Sequence, residues 1–400
     1  MKIKNSLYKL KIFFLLVFVA TLGYEYWDPI GIRSSFTVTR FFGLLYALFA
    51  ITDFRNNFRI TKNNKALVLS GLFLWLWIML ITVFKSVVYH VEPSLVFSLL
   101  QVVVLFWLVY NDVERRPKLK LGLFLAFVVG VFSISILLTL GIGLEASGGL
   151  EVDSIDATRI YFMGMNPNGM GALASLAVLL LFYLVFSEKI WGKKTYFLLA
   201  LTPNLLLLIG ASGSRGAFFM VLLGLAVYFG LKKASAFIKV FYLIFGVVAI
   251  FFILDYLGDF EKLQSRLTST YETRDTGNRF ELWQAALGIL AENPLFGVGF
   301  NGLSIEMARN SSNTTAHNVF IDFALMGGII AFMLFINIIR ILLKRSWSFL
   351  QLNRDAGNLM ILVVILFNLA KSGGGFDSKF SWLMLAATAP VYLIKSKNKL

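Results

Sequence analysis

Asn-Arg-Phe-Glu-Leu-Trp (278–283), Glu-Asn-Pro-Leu-Phe-Gly-Val-Gly-Phe (292–300) and Ala-His-Asn (316–318) mark a polar insert, and a long apolar run follows it. The insert carries one of only two histidines in 400 residues. On either side of it the chain is apolar almost throughout, with 58% hydrophobic and 15% charged residues. A soluble fold has no interior large enough for so much apolar surface, so the sequence predicts an all-α polytopic membrane protein, a single membrane domain over residues 1–400. Twelve spans are expected, at 10–24, 36–52, 66–84, 94–110, 121–141, 169–187, 195–210, 216–231, 237–255, 318–342, 357–371 and 380–394. The basic start followed by an apolar run to Gly23 resembles a signal peptide, but without a small-x-small cleavage site it reads as an uncleaved first span.

Charge orients this layout. Assigning alternate loops to two sides puts 25 of the 37 Lys and Arg residues on one side, in short loops, among them Lys9, Arg59, Arg116, Lys194, Lys233 and Arg345. That bias predicts cytoplasmic termini and an external, periplasmic loop at 256–317 between spans nine and ten. The same clustering explains the net charge of +15 without a nucleic-acid partner, since the basic residues do not gather into one stripe. There is no cysteine, which excludes disulfides, thiol nucleophiles and thiolate metal sites. The cytoplasmic loops hold no glycine-rich phosphate loop and no folded insert, so any chemistry is expected outside, where a donor must arrive already activated.

Three stretches on that outer face read as helix starts. Ser212-Gly213-Ser214-Arg215-Gly216-Ala217 opens the eighth span. Asn278-Arg279-Phe280-Glu281 has the form of a capped helix, with Phe280, Trp283, Ala286, Leu287 and Leu290 at helical spacing and Asn293-Pro294 as the stop, which predicts a short interfacial helix. Thr314-Thr315-Ala316-His317-Asn318 opens the tenth span. Helix N-termini favour anions, and arginine adds bidentate donors that match phosphate oxygens. An uncharged imidazole at such an end can accept a proton. Arg215 and Arg279 with His317 therefore suggest transfer of a group from a diphosphate leaving group to a hydroxyl. Each residue also has a plainer reading, the arginines as interfacial anchors, the histidine and Asn318 as polar caps, and Gly297 with Gly299 as turn formers.

Taken together, Gly-Ser-Arg-Gly-Ala (213–217), Arg-x-x-x-Trp (279–283), Asn-Pro-Leu-x-Gly-Val-Gly-Phe (293–300) and His-Asn (317–318) resemble the O-antigen ligase and O-antigen polymerase superfamily. Asn166-Pro167-Asn168, with Arg159 upstream, is similar to that family as well. The resemblance implies a metal-independent inner-membrane glycosyltransferase without cofactors, acting at the periplasmic face on undecaprenyl-diphosphate-linked oligosaccharide. On that basis Arg215 and Arg279 are expected to bind diphosphate and His317 to act as base. Arg159, Asn168, Ser214, Asn318 and Asp377 are further candidates for substrate binding. The acceptor is a second lipid-linked repeat unit for a polymerase and lipid A core for a ligase. Membrane lipids and a chain-length regulator protein complete the expected partners. Ile329-Ile330-Ala331 after Gly328 departs from the ligase pattern, and the short 299–317 stretch leaves little room to grip lipid A core, so polymerase is the preferred reading.

The competing class is a polysaccharide transporter or flippase, for which twelve spans is a common count. No matching halves are visible, the dominant loop is external and late, and of the few polar residues within spans, Asn368 and Lys371, the lysine lies near an end from which it can snorkel outward. His90, beside Glu92-Pro93, reads as structural rather than catalytic, Asp153, Asp156, Asp255 and Asp259 lack metal-ligand spacing with a histidine, and Gly373-Gly374-Gly375 before Asp377 reads first as a turn.

Overall fold

The computed structural model describes residues 2–29, 37–89, 93–145, 161–188, 190–231, 279–371 and 375–391. The expected span at 237–255, the first part of the 256–317 loop, Asn278, and His90, Arg159, Asp153, Asp156, Asp255 and Asp259 lie outside the described residues. In chain order the helices are α1 (Lys2–Ala20), α2 (Val38–Ile51), α3 (Phe54–Asn57), α4 (Lys65–Phe84), α5 (Pro93–Arg115), α6 (Leu119–Thr139) and α7 (Pro167–Phe182). They continue as α8 (Thr202–Ser212), α9 (Arg215–Gly230), α10 (Arg279–Glu292), α11 (Gly299–Asn310), α12 (Val319–Asn353), α13 (Gly357–Lys371) and α14 (Lys379–Thr388). A two-stranded antiparallel ladder, Leu144–Glu145 with Tyr161–Phe162, is the sheet among the described residues.

Seven of the described helical segments are long and apolar enough to cross a membrane, and Val38–Ile51, Arg215–Gly230 and Gly357–Lys371 are shorter apolar helices. The protein is multi-pass and helical, as expected from composition. The chain forms two compact units, each assembled from separate stretches: Met1–Asn57, Arg115–Tyr271 and Arg354–Val364 in one, Phe58–Glu114, Glu272–Asn353 and Ile365–Leu400 in the other.

The first unit is built around α7. Asn166 caps this helix, its side chain accepting from Gly169 N at 2.8 Å, and Pro167 fills the first position, where a missing N–H costs nothing. Nearly every residue from Met170 to Leu181 is buried, so α7 is apolar on all sides and enclosed by α6, α8 and α9. In a membrane, where lipid is as apolar as leucine, such contacts depend on close packing. Gly171 supplies it, because a Cβ there would stand 2.7 Å from Ser212 Oγ and 2.8 Å from Ala217 Cβ. Ser175 Oγ donates to Ala217 O at 2.7 Å, Gly224 lies against Leu179, and the Phe182 and Tyr228 rings meet at 5.0 Å. Contacts that advance together along both chains mean that α7 and α9 run parallel, with their N-termini side by side.

The second unit is built around α4 and α12. Ser70 accepts from Asn337 Nδ2 at 3.0 Å, while Gly327 O accepts from Trp77 Nε1 at 2.8 Å, so these two helices are antiparallel. The apolar run predicted at 318–342 is thus the first part of a longer helix. α12 is not straight: Gly327 and Gly328 leave helical geometry, Gly328 at φ 66° and ψ −163°. Lys371, expected to reach outward, is 7% exposed.

Candidate active site

The turn before α9 is set by its own sequence. Gly213 takes the left-handed conformation at φ 54° that ends α8, and Ser214 then caps α9, accepting from Ala217 N at 3.3 Å. Ser212 Oγ accepts from Ser214 N at 3.2 Å and donates to Ile209 O at 2.7 Å. Ser212 and Ser214 are buried, and Arg215, at the first position of α9, is half-buried. Asn168 occupies the first turn of α7. In the first unit the structure therefore brings Asn168, Ser214 and Arg215 to one end, where two parallel helices begin. Such an end attracts anions.

Arg279, His317, Asn318 and Asp377 belong to the second unit. Trp283 lies one turn beyond Arg279 on the same face of α10, and its Nε1 donates to Ala316 O at 3.1 Å. Ala316 N in turn donates to Oδ1 of Asp322, a carboxylate only 2% exposed in the first turn of α12. Asn318 caps α12, its Oδ1 accepting from Phe320 N at 3.0 Å. Between these two fixed points His317 stands half-buried at φ 51°, in the left-handed region. Asp377 occupies the turn after Gly375, and its neighbour Phe376 packs its ring edge-on to Phe300 at 4.7 Å and against Phe323 at 6.3 Å. Trp283, Ala316, Asn318 and Phe376 are thus tied to the start of α12 by a short set of contacts, and Arg279, His317 and Asp377 stand next to them along the chain.

The insert is more ordered than its sequence suggests. It contains a second helix, α11, whose Phe300, Leu303 and Met307 are buried. Phe300 N donates to Thr82 Oγ1 at 2.9 Å, and Tyr89 donates to Glu306 Oε1 at 2.9 Å. Burial, then the bond to Glu306, pushes the Tyr89 hydroxyl up to about 12, so it remains a donor at neutral pH. The helix at 279–292 forms, but its buried stripe is Leu282, Ala286 and Ile289, while Phe280 and Leu287 point away from the protein.

Sequence reasoning passed over Asp322, and it placed Trp283 only in an apolar stripe and a motif. Asp322 was detectable as the one carboxylate in the apolar run 319–342. Replacing it with alanine should leave the buried Ala316 N–H unpaired, at a cost of ~1–3 kcal/mol, whereas Asp322→Asn keeps an acceptor there. Thermal unfolding in detergent should separate the two variants, and equal midpoints would remove Asp322 from this role.

Residues 200–336 match the family model described as O-antigen ligase. Over those residues the chain is similar to the O-antigen ligase and polymerase superfamily. The matched segment runs from α8 through the kink of α12 and includes Arg215, Arg279, His317 and the Gly297–Gly299 turn, whereas Asn168 and Asp377 fall outside it. The match supports an enzyme of glycosyltransferase type in the membrane. No curated protein sequence matches the chain closely enough to count as a relative.

Proposed function

We propose that the protein transfers a glycan from undecaprenyl diphosphate to a sugar hydroxyl at the periplasmic face of the bacterial inner membrane, extending a chain of O-antigen or capsule-type repeat units. In this reading the acceptor oxygen attacks the anomeric carbon of the donor. The bond from that carbon to the diphosphate breaks, and undecaprenyl diphosphate leaves with the electron pair. His317 takes the hydroxyl proton, while Arg215 and Arg279 offset charge on the departing diphosphate. Ser214, Asn318 and Asn168 are polar groups at helix starts, suited to hydroxyl or phosphate oxygens, Asp377 suits a sugar hydroxyl, and Arg159 is retained as a candidate from the resemblance alone. What carries the reading is that the family match falls on the segment bearing Arg215, Arg279 and His317 together.

No metal takes part in this scheme, so EDTA is expected to leave the rate unchanged. Arg215→Ala and Arg279→Ala should each reduce transfer ~10²–10³-fold, the range for loss of one charge-stabilising donor. Arg→Lys should restore only part, because lysine lacks the bidentate fork. The decisive assay is reconstitution with one lipid-linked repeat unit, scored for chain growth with and without lipid A core. Growth without core supports the polymerase. The family model's description favours a second reading, the ligase, for which transfer occurs only when core is supplied.

A further inference from the structure

The insert expected to lie outside the bilayer contains a turn, 293–299, whose surroundings are apolar. Leu295 and Phe296 are 57% and 51% exposed. They lie beside the membrane-crossing helix α4, where the Phe296 ring meets Trp77 at 6.0 Å, and beside the kink of α12. The faces that continue from them on these two helices are also apolar and uncovered, Phe73, Leu76 and Leu80 on α4, Ile329 and Met333 on α12.

Two independent rulers set the depth. Lys85, whose ammonium donates to Asn293 Oδ1 at 3.3 Å, follows Trp77 by eight residues, or ~12 Å at 1.5 Å per residue. Along the antiparallel partner, Val319 at the start of α12 precedes Gly327, the residue bonded to Trp77, by the same count. Both place Phe296 well below the level of Lys85 and His317.

Irregular backbone at that depth is tolerated only when its polar groups find partners in the protein. Here they do. Val298 N donates to Leu325 O at 2.7 Å, Ile329 N to Pro294 O at 2.9 Å, and Gly297 N to Asn293 O at 2.9 Å. The kink releases Leu325 O and Ile329 N from the helix ladder, and the turn takes up both. Close approach requires glycine on each side: a Cβ on Gly297 would lie 2.2 Å from Leu325 O, and one on Gly328 would lie 2.0 Å from Leu295 O.

We propose that this turn is a re-entrant element immersed in the outer part of the hydrocarbon layer, with Leu295 and Phe296 in contact with the acyl chains of the bilayer. Continuity with the uncovered faces of α4 and α12 identifies lipid as the occupant. The inference rests on the chain spanning the membrane and is independent of the glycan-transfer reading.

The protein has no cysteine, so single-cysteine variants of the full chain can be labelled directly. Nitroxides at Leu295→Cys or at Phe296→Cys, in phosphatidylethanolamine–phosphatidylglycerol vesicles, are compared with labels at Leu80→Cys, on the uncovered face of α4, and Ser312→Cys, in an exposed loop. Labels at 295 and 296 should collide with oxygen in preference to a water-soluble nickel chelate, as at 80 and opposite to 312. Nickel access equal to that at 312 would overturn the proposal. Exclusion of both reagents would also overturn it, because a protein surface would then cover the turn.

Discussion

His317→Asn is expected to lower glycan transfer by ~10²–10⁴-fold, the contribution of a positioned general base, while membrane insertion and thermal unfolding stay unchanged. Asparagine is the informative substitution because it tolerates the left-handed conformation that His317 adopts at φ 51°. It therefore preserves the loop between Ala316 and Asn318 and removes only the imidazole. Alanine removes the imidazole too but disfavours that backbone state, so a larger loss in His317→Ala than in His317→Asn would report backbone strain added to lost chemistry. Initial rates of chain growth with a lipid-linked repeat unit measure both. An Asn variant retaining wild-type rate would dismiss His317 as the base and leave the diphosphate-binding arginines to be tested separately.

The second large effect is on stability. Gly328→Ala is expected to cost ~4 kcal/mol or more, enough to prevent accumulation of folded protein. Alanine at φ 66° and ψ −163° carries backbone strain of ~1–3 kcal/mol, because that region is accessible essentially to glycine alone. Its Cβ would also fall 2.0 Å from Leu295 O, which forces the 293–299 turn away from α12. The bonds from Val298 N to Leu325 O and from Ile329 N to Pro294 O would then open, leaving polar groups unpaired at ~1–3 kcal/mol each. Ile330→Ala is the control, since Ile330 is 37% exposed and has no such neighbour requirement. Thermal unfolding followed by size-exclusion chromatography in detergent reads both. A Gly328→Ala protein with the midpoint of the Ile330→Ala control would show that the turn and the kink do not depend on each other.

Much of the helical layout was legible because apolar runs and caps are local signals. Asn166-Pro167, Ser214 and Asn318 announce their helices, and the structure begins a helix at or beside each. Gly297 and Gly299 were readable as a turn, yet nothing nearby in sequence says that the turn completes the backbone of a helix 30 residues later. The second helix of the insert was obscured by glycines and polar residues, although Phe300, Leu303 and Met307 keep a three-and-four spacing. Counting loop charges treats Lys120 as a solvent-side marker, whereas it is 1% exposed and donates to Tyr183 OH at 3.0 Å and Asn358 Oδ1 at 3.1 Å. Asp322 escaped for a related reason: its partner is a main-chain N–H in a loop that curls back, a pairing no residue type advertises.

The bond between Trp77 and Gly327 bears on biosynthesis. Its two ends are 250 residues apart, so α4 leaves the ribosome long before the carbonyl that will receive its indole exists. During that interval the helix must reside in the bilayer by its own mean hydropathy of 2.4, without help from its eventual partner. Truncated nascent chains ending before α12 should thus already be integrated, with the tryptophan still awaiting its acceptor.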